Sequence, residues 1–288
     1  MASPMLNVPA STNGCPIPSS AIVPFLLITF TVTWGILGLY LAAPATAASI
    51  LGPLSGGHPL YFVATWSPGL AGFVVVLVYT GRAGLVSFLR RILLWRTTLY
   101  WWLWILLGIP LVYMAGSLLK GGPLLAPLPD GGLLAVAVLA GMMLFLGPVE
   151  ELGWRGLMQP VLQRYVAPFW AGTIIGVTWG LWHLPAFFLA GVVFEEWSFL
   201  PFFLGNVTLA ILITPIFNDS RGSLLLPMLF HWQLINPLWP DAQPLDTVIL
   251  AVFAGLVSVW RWRAMFSRKD AITKVVPQST NMRSGEKH

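Results

Sequence analysis

Charge is what this sequence has least of. Only 9% of its 288 residues are Asp, Glu, Lys or Arg, where a soluble domain carries about 25%. Charge therefore cannot cover a water-facing surface. Hydrophobic residues make up 57%, and the mean hydropathy is +0.80. Disorder, a collagen-like chain and a coiled coil are excluded, and the composition speaks against a water-soluble enzyme. Cysteine is nearly absent. With Cys15 alone, no intrachain disulfide can form and a Cys-based metal site is not credible. The net charge of +5 would suggest nucleic acid in a soluble domain. Here it reads as basic loops at a membrane, so no nucleic-acid partner is expected. What remains is a polytopic integral membrane protein, an all-α helix bundle with membrane lipid around it.

A span needs about 20 apolar residues. Eight stretches qualify: 21–43, 60–80, 99–119, 132–155, 168–190, 198–218, 222–239 and 245–264. Residues 1–20 read as a disordered tail, 21–266 as the transmembrane domain and 267–288 as a polar cytoplasmic tail. Ala45-Thr46-Ala47 looks like a cleavage site, but no Lys or Arg precedes it and the apolar run is longer than a signal needs. No Lys or Arg occurs before Arg82. With eight alternating spans and the N-terminus inside, 14 of the 15 cations fall on one side and only Lys120 on the other. By the positive-inside rule both termini are then cytoplasmic, in a bacterial-type plasma membrane. Residues 83–98 are not a span. Leu85, Phe88, Leu89, Ile92 and Trp95 recur at helical spacing, which predicts a short amphipathic helix on the cytoplasmic face. No internal repeat suggests a transporter built from two halves.

A charge or imidazole inside a span is costly and points to function. Glu150 and Glu151 close an apolar stretch. Glu151 and Arg155 are i,i+4 and can pair on one helix face. Glu150, about 100° away, can project into the bundle and act as a base. His183 follows Gly172, Gly176 and Gly180, a stripe of small residues that lets helices approach closely. That spacing sets the imidazole against a neighbouring helix. His231 also lies within a span. The other histidines, His58 and His288, lie in a loop and at the terminus.

Glutamate with histidine can deprotonate a water, and a second histidine with another donor can hold an oxyanion. That combination is peptide hydrolysis without a covalent intermediate. No HExxH helix, Gly-x-Ser-Gly loop or intramembrane Asp pair occurs. Two histidines and a glutamate could also ligate a divalent metal such as zinc, so the spacing leaves a metal open.

Together Glu150-Glu151…Arg155, Trp179…His183 and His231…Asn236 resemble the CPBP family, the type 2 CAAX prenyl proteases and the Abi bacteriocin-processing or immunity proteins. The likeness covers about residues 130–240, with Arg221-Gly-Ser-Leu and Pro227 matching the approach to the last histidine. It implies an eight-span fold with a cavity reached from the cytoplasm. It implies that Glu150 and His183 activate water, and that His231 and Asn236 serve the oxyanion. Two positions depart from the pattern: Trp179 stands where Phe is usual, and Asn236 lies five rather than four residues after His231. The function expected is an intramembrane endopeptidase acting on membrane-associated peptides or lipidated, CAAX-type proteins. The alternative is a non-catalytic immunity or peptide-binding membrane protein.

Overall fold

The structure is a computed structural model and describes residues 17–277. Most of the expected N-terminal tail, with Cys15, and residues 278–288 of the expected C-terminal tail lie outside the described residues.

Every regular element among the described residues is a helix. Five helical stretches are long and apolar enough to cross a membrane: Ser19–Ala42, Pro59–Leu93, Leu99–Leu119, Gly132–Leu162 and Phe199–Asp219. We number the main helices α1 (Ile22–Ala42), α2 (Pro59–Leu89), α3 (Leu99–Leu119), α4 (Gly132–Leu146), α5 (Pro168–Trp182), α6 (Phe199–Asp219), α7 (Leu225–Leu234) and α8 (Leu245–Trp260). The sequence suggested eight full spans. Three of these fall on the shorter helices α5, α7 and α8, of 15, 10 and 16 residues. At 1.5 Å per residue, 15 residues reach about 22 Å. Pro237 accounts for the end of α7, since a residue before proline is pushed out of the helical region, whereas α5 tightens directly into a 3₁₀ turn over Leu184–Phe188.

The amphipathic helix expected over 83–98 is also corrected. Gly81, at φ 65°, breaks α2, and the helix resumes without a loop and runs as a tight turn to Leu93. Leu85 and Phe88 are buried as the periodicity predicts, but Trp95 is 58% exposed and Arg91 is buried. Arg91 turns inward because three backbone carbonyls meet it there. It donates to Gly222 O at 2.7 Å, Gly156 O at 3.0 Å and Val275 O at 2.8 Å. This captures part of the segment expected to be a polar cytoplasmic tail. Within residues 267–277, Ile272 O accepts from Gln163 and Thr273 O from Arg164, and Val275 is buried. The hydrogen-bonding side chains come from the bundle, which is why the polarity of the tail did not reveal the docking.

The two ends of the bundle differ in charge. At one end Arg164 donates to Ile17 O before α1. Leu224 N before α7 donates to Arg91 O, and Arg261 after α8 pairs with Asp219 at 2.6 Å. At the other end Lys120, after α3, pairs with Asp241 at 2.5 Å. Among the described residues, Lys120 is the one Lys or Arg at this second end. Between the ends, Leu27, Val78, Leu134 and Val259 turn outward, an apolar surface suited to lipid.

Close approach of α5 and α6 sets the interior. A Cβ added at Gly176 would lie 2.5 Å from Val207 Cα and 2.9 Å from Asn206 O. Gly172 and Gly180 face the same helix, meeting Ala210 O and Phe203. The stripe read from the sequence is thus the α5–α6 contact. Gly176→Val must separate these helices, because both nearest neighbours are backbone atoms. We expect a loss of about 1–3 kcal/mol from overpacking, read as a lower melting temperature in detergent. Gly141→Ala, where nothing lies within 4 Å, should not lower melting and can raise it slightly, since Ala favours a helix interior over Gly.

Candidate active site

The α4 helix stops at Leu146. Gly147 and Pro148 follow, and Pro148, with no N–H, cannot continue the ladder. The chain tightens into a 3₁₀ turn over Pro148–Glu150, then widens into a π-helical stretch over Leu152–Met158. Such wide turns mark functional sites more often than regular helix does. Glycines lock the stretch against α2. A Cβ at Gly69 would run into the carbonyl oxygen of Val149, and one at Gly72 would lie 3.0 Å from Gly153 Cα. Backbone therefore touches backbone on both sides of the two glutamates, and their positions are fixed.

Glu150 and Glu151 leave this turn in different directions. Glu151 is fully buried and does not line the cavity. Arg155 Nη1 lies 3.2 Å from both of its carboxylate oxygens, and His231 Nδ1 lies 2.8 Å from Oε1. A carboxylate paired with arginine can only accept, so Nδ1 is the donor and Nε2 is left to face the reaction side. Arg155 is itself fully buried, with its guanidinium carbon 5.1 Å from the Trp179 ring centroid. Gly147 packs on the far side of the His231 ring, and a Cβ there would lie 2.7 Å from Nε2.

Glu150 lines a cavity of about 590 Å³ together with His183, His231, Asn206 and Asn236. Trp179 ties three of these together. Its Nε1 donates to Glu150 Oε2 at 2.8 Å. Its carbonyl accepts from His183 Nδ1 at 2.9 Å, which leaves Nε2 as the lone-pair nitrogen of that ring. Its ring centroid is 5.3 Å from that of His231. His183 is further held edge-on by Trp182 and Phe202, at 4.6 and 4.9 Å.

Asn236 also lines the cavity, although it sits five residues after His231. The helical rotation that would turn it away does not apply, because α7 ends at Leu234 and Ile235 has left the helical region. Its amide is occupied locally: Oδ1 accepts from Leu238 N at 3.0 Å, and Nδ2 faces Gln233 Oε1 at 3.4 Å. Asn206, on α6, donates to Phe202 O. For a metal, the donors do not gather. Among the described residues no three of His, Cys, Asp and Glu are grouped to hold an ion, and His231 already commits Nδ1 to Glu151.

Sequence reasoning missed several contributors. The indole N–H of Trp179 is one, since the residue was read only as a departure from Phe. Tyr61, Tyr113 and Asp246 line the cavity as well. Each is a polar group in or beside an apolar stretch, a signal that could have found them. The bond between Glu151 and His231 spans 80 residues and leaves no trace in local spacing.

Comparison with known proteins bears on the same segment. Residues 132–235, which hold Glu150, Glu151, Arg155, His183 and His231, match the family described as type II CAAX prenyl endopeptidase, Rce1-like. This stretch of the chain is similar to that family. The resemblance read from the motifs is thereby shown. The chain is also 28% identical over 138 residues to a protein named CAAX prenyl protease 2 from Methanococcus maripaludis. That match covers 44% of this chain, and the chain spans about half the length of that curated relative, 51%. In that segment Glu150, His183 and His231 line the cavity, and Glu151 is tied to His231 on α7.

The geometry separates the two glutamates by what each should do to stability. Glu151→Gln breaks a buried carboxylate's link to Arg155 and His231. Removing one partner of a buried pair costs about 3–5 kcal/mol. Melting in detergent should fall clearly for Glu151→Gln and for Arg155→Ala. Unchanged melting in both would mean that the pair carries no structural weight.

Proposed function

We propose that this multi-pass membrane protein is an intramembrane endopeptidase. In this reading α5, α7 and α8 complete an eight-span bundle, and the segment between α2 and α3 lies on the cytoplasmic face. Both termini are cytoplasmic, in a bacterial-type plasma membrane. The substrate is a membrane-associated peptide or lipidated protein, as the names of the matching family and relative suggest. The observation that carries the proposal is the convergence of Glu150, His183 and His231 on one cavity inside an apolar bundle. Three ionisable groups in lipid would each be costly, and a shared polar site relieves all three.

The chemistry follows from the atoms that remain available. Glu150, with Oε2 held by Trp179, takes a proton from a water that His183 Nε2 also orients. The water oxygen attacks the carbonyl carbon of the scissile bond, and the carbonyl π electrons move onto its oxygen. His231 Nε2 donates to that oxyanion, and Glu151 balances the charge of the ring. The tetrahedral species collapses, the C–N bond breaks, and the amine leaves with the proton that Glu150 had taken. Asn206 or Asn236 supplies a second donor. Arg155 supports the site by holding Glu151.

The test is cleavage of quenched peptides by purified protein in detergent. Glu150→Gln keeps size and hydrogen bonding but cannot accept the proton. It should lower the rate by about 10²–10⁴-fold or more, the range for a general base, with melting unchanged. Trp179→Phe keeps the ring and loses a bond to a charged group worth about 1.5–3 kcal/mol, so a drop of at least tenfold is expected. A chelator should leave the wild-type rate as it was. Full activity in Glu150→Gln would sink the reading. Peptide binding without cleavage by the wild type would favour a non-catalytic immunity or peptide-binding protein.

A further inference from the structure

The cavity has a direction. Its exposed rim is made of Gly56, between α1 and α2, Gly191 and Val193, between α5 and α6, and Asp241, between α7 and α8. All lie at the bundle end that carries Lys120, where Lys120 itself pairs with Asp241. In the opposite direction the path is closed. Beneath Glu150 the chain packs Trp154, Arg155, Leu157 and Met158, all buried and none lining the cavity. Below them Arg91 binds Gly156, Gly222 and Val275 by their carbonyls and draws the 271–276 segment across that end. This sealed end is the one with the arginines, and by the positive-inside rule it is cytoplasmic.

We propose that the cavity opens on the non-cytoplasmic face and takes apolar peptide segments delivered from that side. This rests on the eight-span and endopeptidase readings above. It departs from the cytoplasmic opening that the family resemblance implies, and the departure comes from this chain's own charges. A peptide arriving from the cytoplasm meets the arginine-bearing end, where buried side chains and a docked segment fill the route. A peptide in the outer leaflet, or secreted across the membrane, meets an open rim. The inner wall there is rich in apolar rings: Phe194, Trp197, Phe202 and Trp239 all line the cavity. Such rings suit aromatic or aliphatic side chains flanking the scissile bond. Asp246, buried at the start of α8, adds a carboxyl to the same wall.

Sidedness can be read by thiol labelling of the full chain in right-side-out membrane vesicles. Cys15 is the one native cysteine, so Cys15→Ser gives a clean background. Gly56→Cys places a thiol on the rim, where a Cβ meets nothing within 4 Å. Arg90→Cys places one at the sealed end on an exposed position. A membrane-impermeant maleimide should label Gly56→Cys at least tenfold more than Arg90→Cys, and detergent should equalise them. In the same vesicles, an impermeant quenched peptide added outside should be cleaved without detergent. Labelling of Arg90→Cys but not Gly56→Cys in sealed vesicles, with cleavage appearing only after detergent, overturns the sidedness and leaves the endopeptidase reading intact. Labelling of Gly56→Cys from outside, with no cleavage even in detergent, supports the sidedness and overturns the endopeptidase reading instead.

Discussion

One buried carboxylate organises this protein. Glu151 is removed from solvent and accepts from Arg155 on its own chain segment and from His231 80 residues away. Moving a carboxylate and a guanidinium out of water costs several kcal/mol for each. Their attraction offsets only part of that cost, and only while both are held in place. The glycine contacts between α2 and the 148–158 turn provide that constraint, and Trp179 lies against the guanidinium. The consequence for chemistry is indirect. Because Glu151 is committed to the fold, the adjacent Glu150 is the carboxylate that reaches the cavity.

Tryptophan does much of the remaining polar work. An indole combines a large apolar face with one N–H donor, so it can cross an apolar interior and still satisfy an acceptor. Trp179 does this for Glu150, Trp182 for Thr33 Oγ1, and Trp232 for Ala140 O. Trp34 does the same for the carbonyl of Trp182. These bonds join α1, α4, α5 and α7 around the site without introducing further charge. Small residues complement them. Gly147 leaves room for the His231 ring, and Gly176 lets α5 reach the backbone of α6.

Much of this was legible from the sequence. Low charge, long apolar stretches and the lopsided cations gave an all-α membrane protein, because lipid tolerates few other solutions. The i,i+4 spacing gave the Glu151–Arg155 pair, and rarity singled out His183 and His231. What could not be read depended on distant chain segments. Pro237 shortens α7 relative to its apolar run, and α5 gives way to a 3₁₀ turn at Leu184. Arg91 falls within the segment expected as an amphipathic helix, yet three carbonyls from remote segments draw it inward. The polar stretch after Phe266 docks for the same reason. The Asn236 side chain reaches the cavity because the helix ends early, which no helical wheel would show.

In the proposed reaction Glu151 acts through His231. A double-mutant cycle tests this most directly. Peptide cleavage and melting would be measured for wild type, Glu151→Gln, His231→Asn and the double variant. If the two act through one hydrogen bond, the double variant should be no worse than the more damaging single one. The coupling in kcat/KM should then exceed tenfold, about 1.4 kcal/mol. Effects that simply multiply, with no coupling, would mean that Glu151 and His231 act independently.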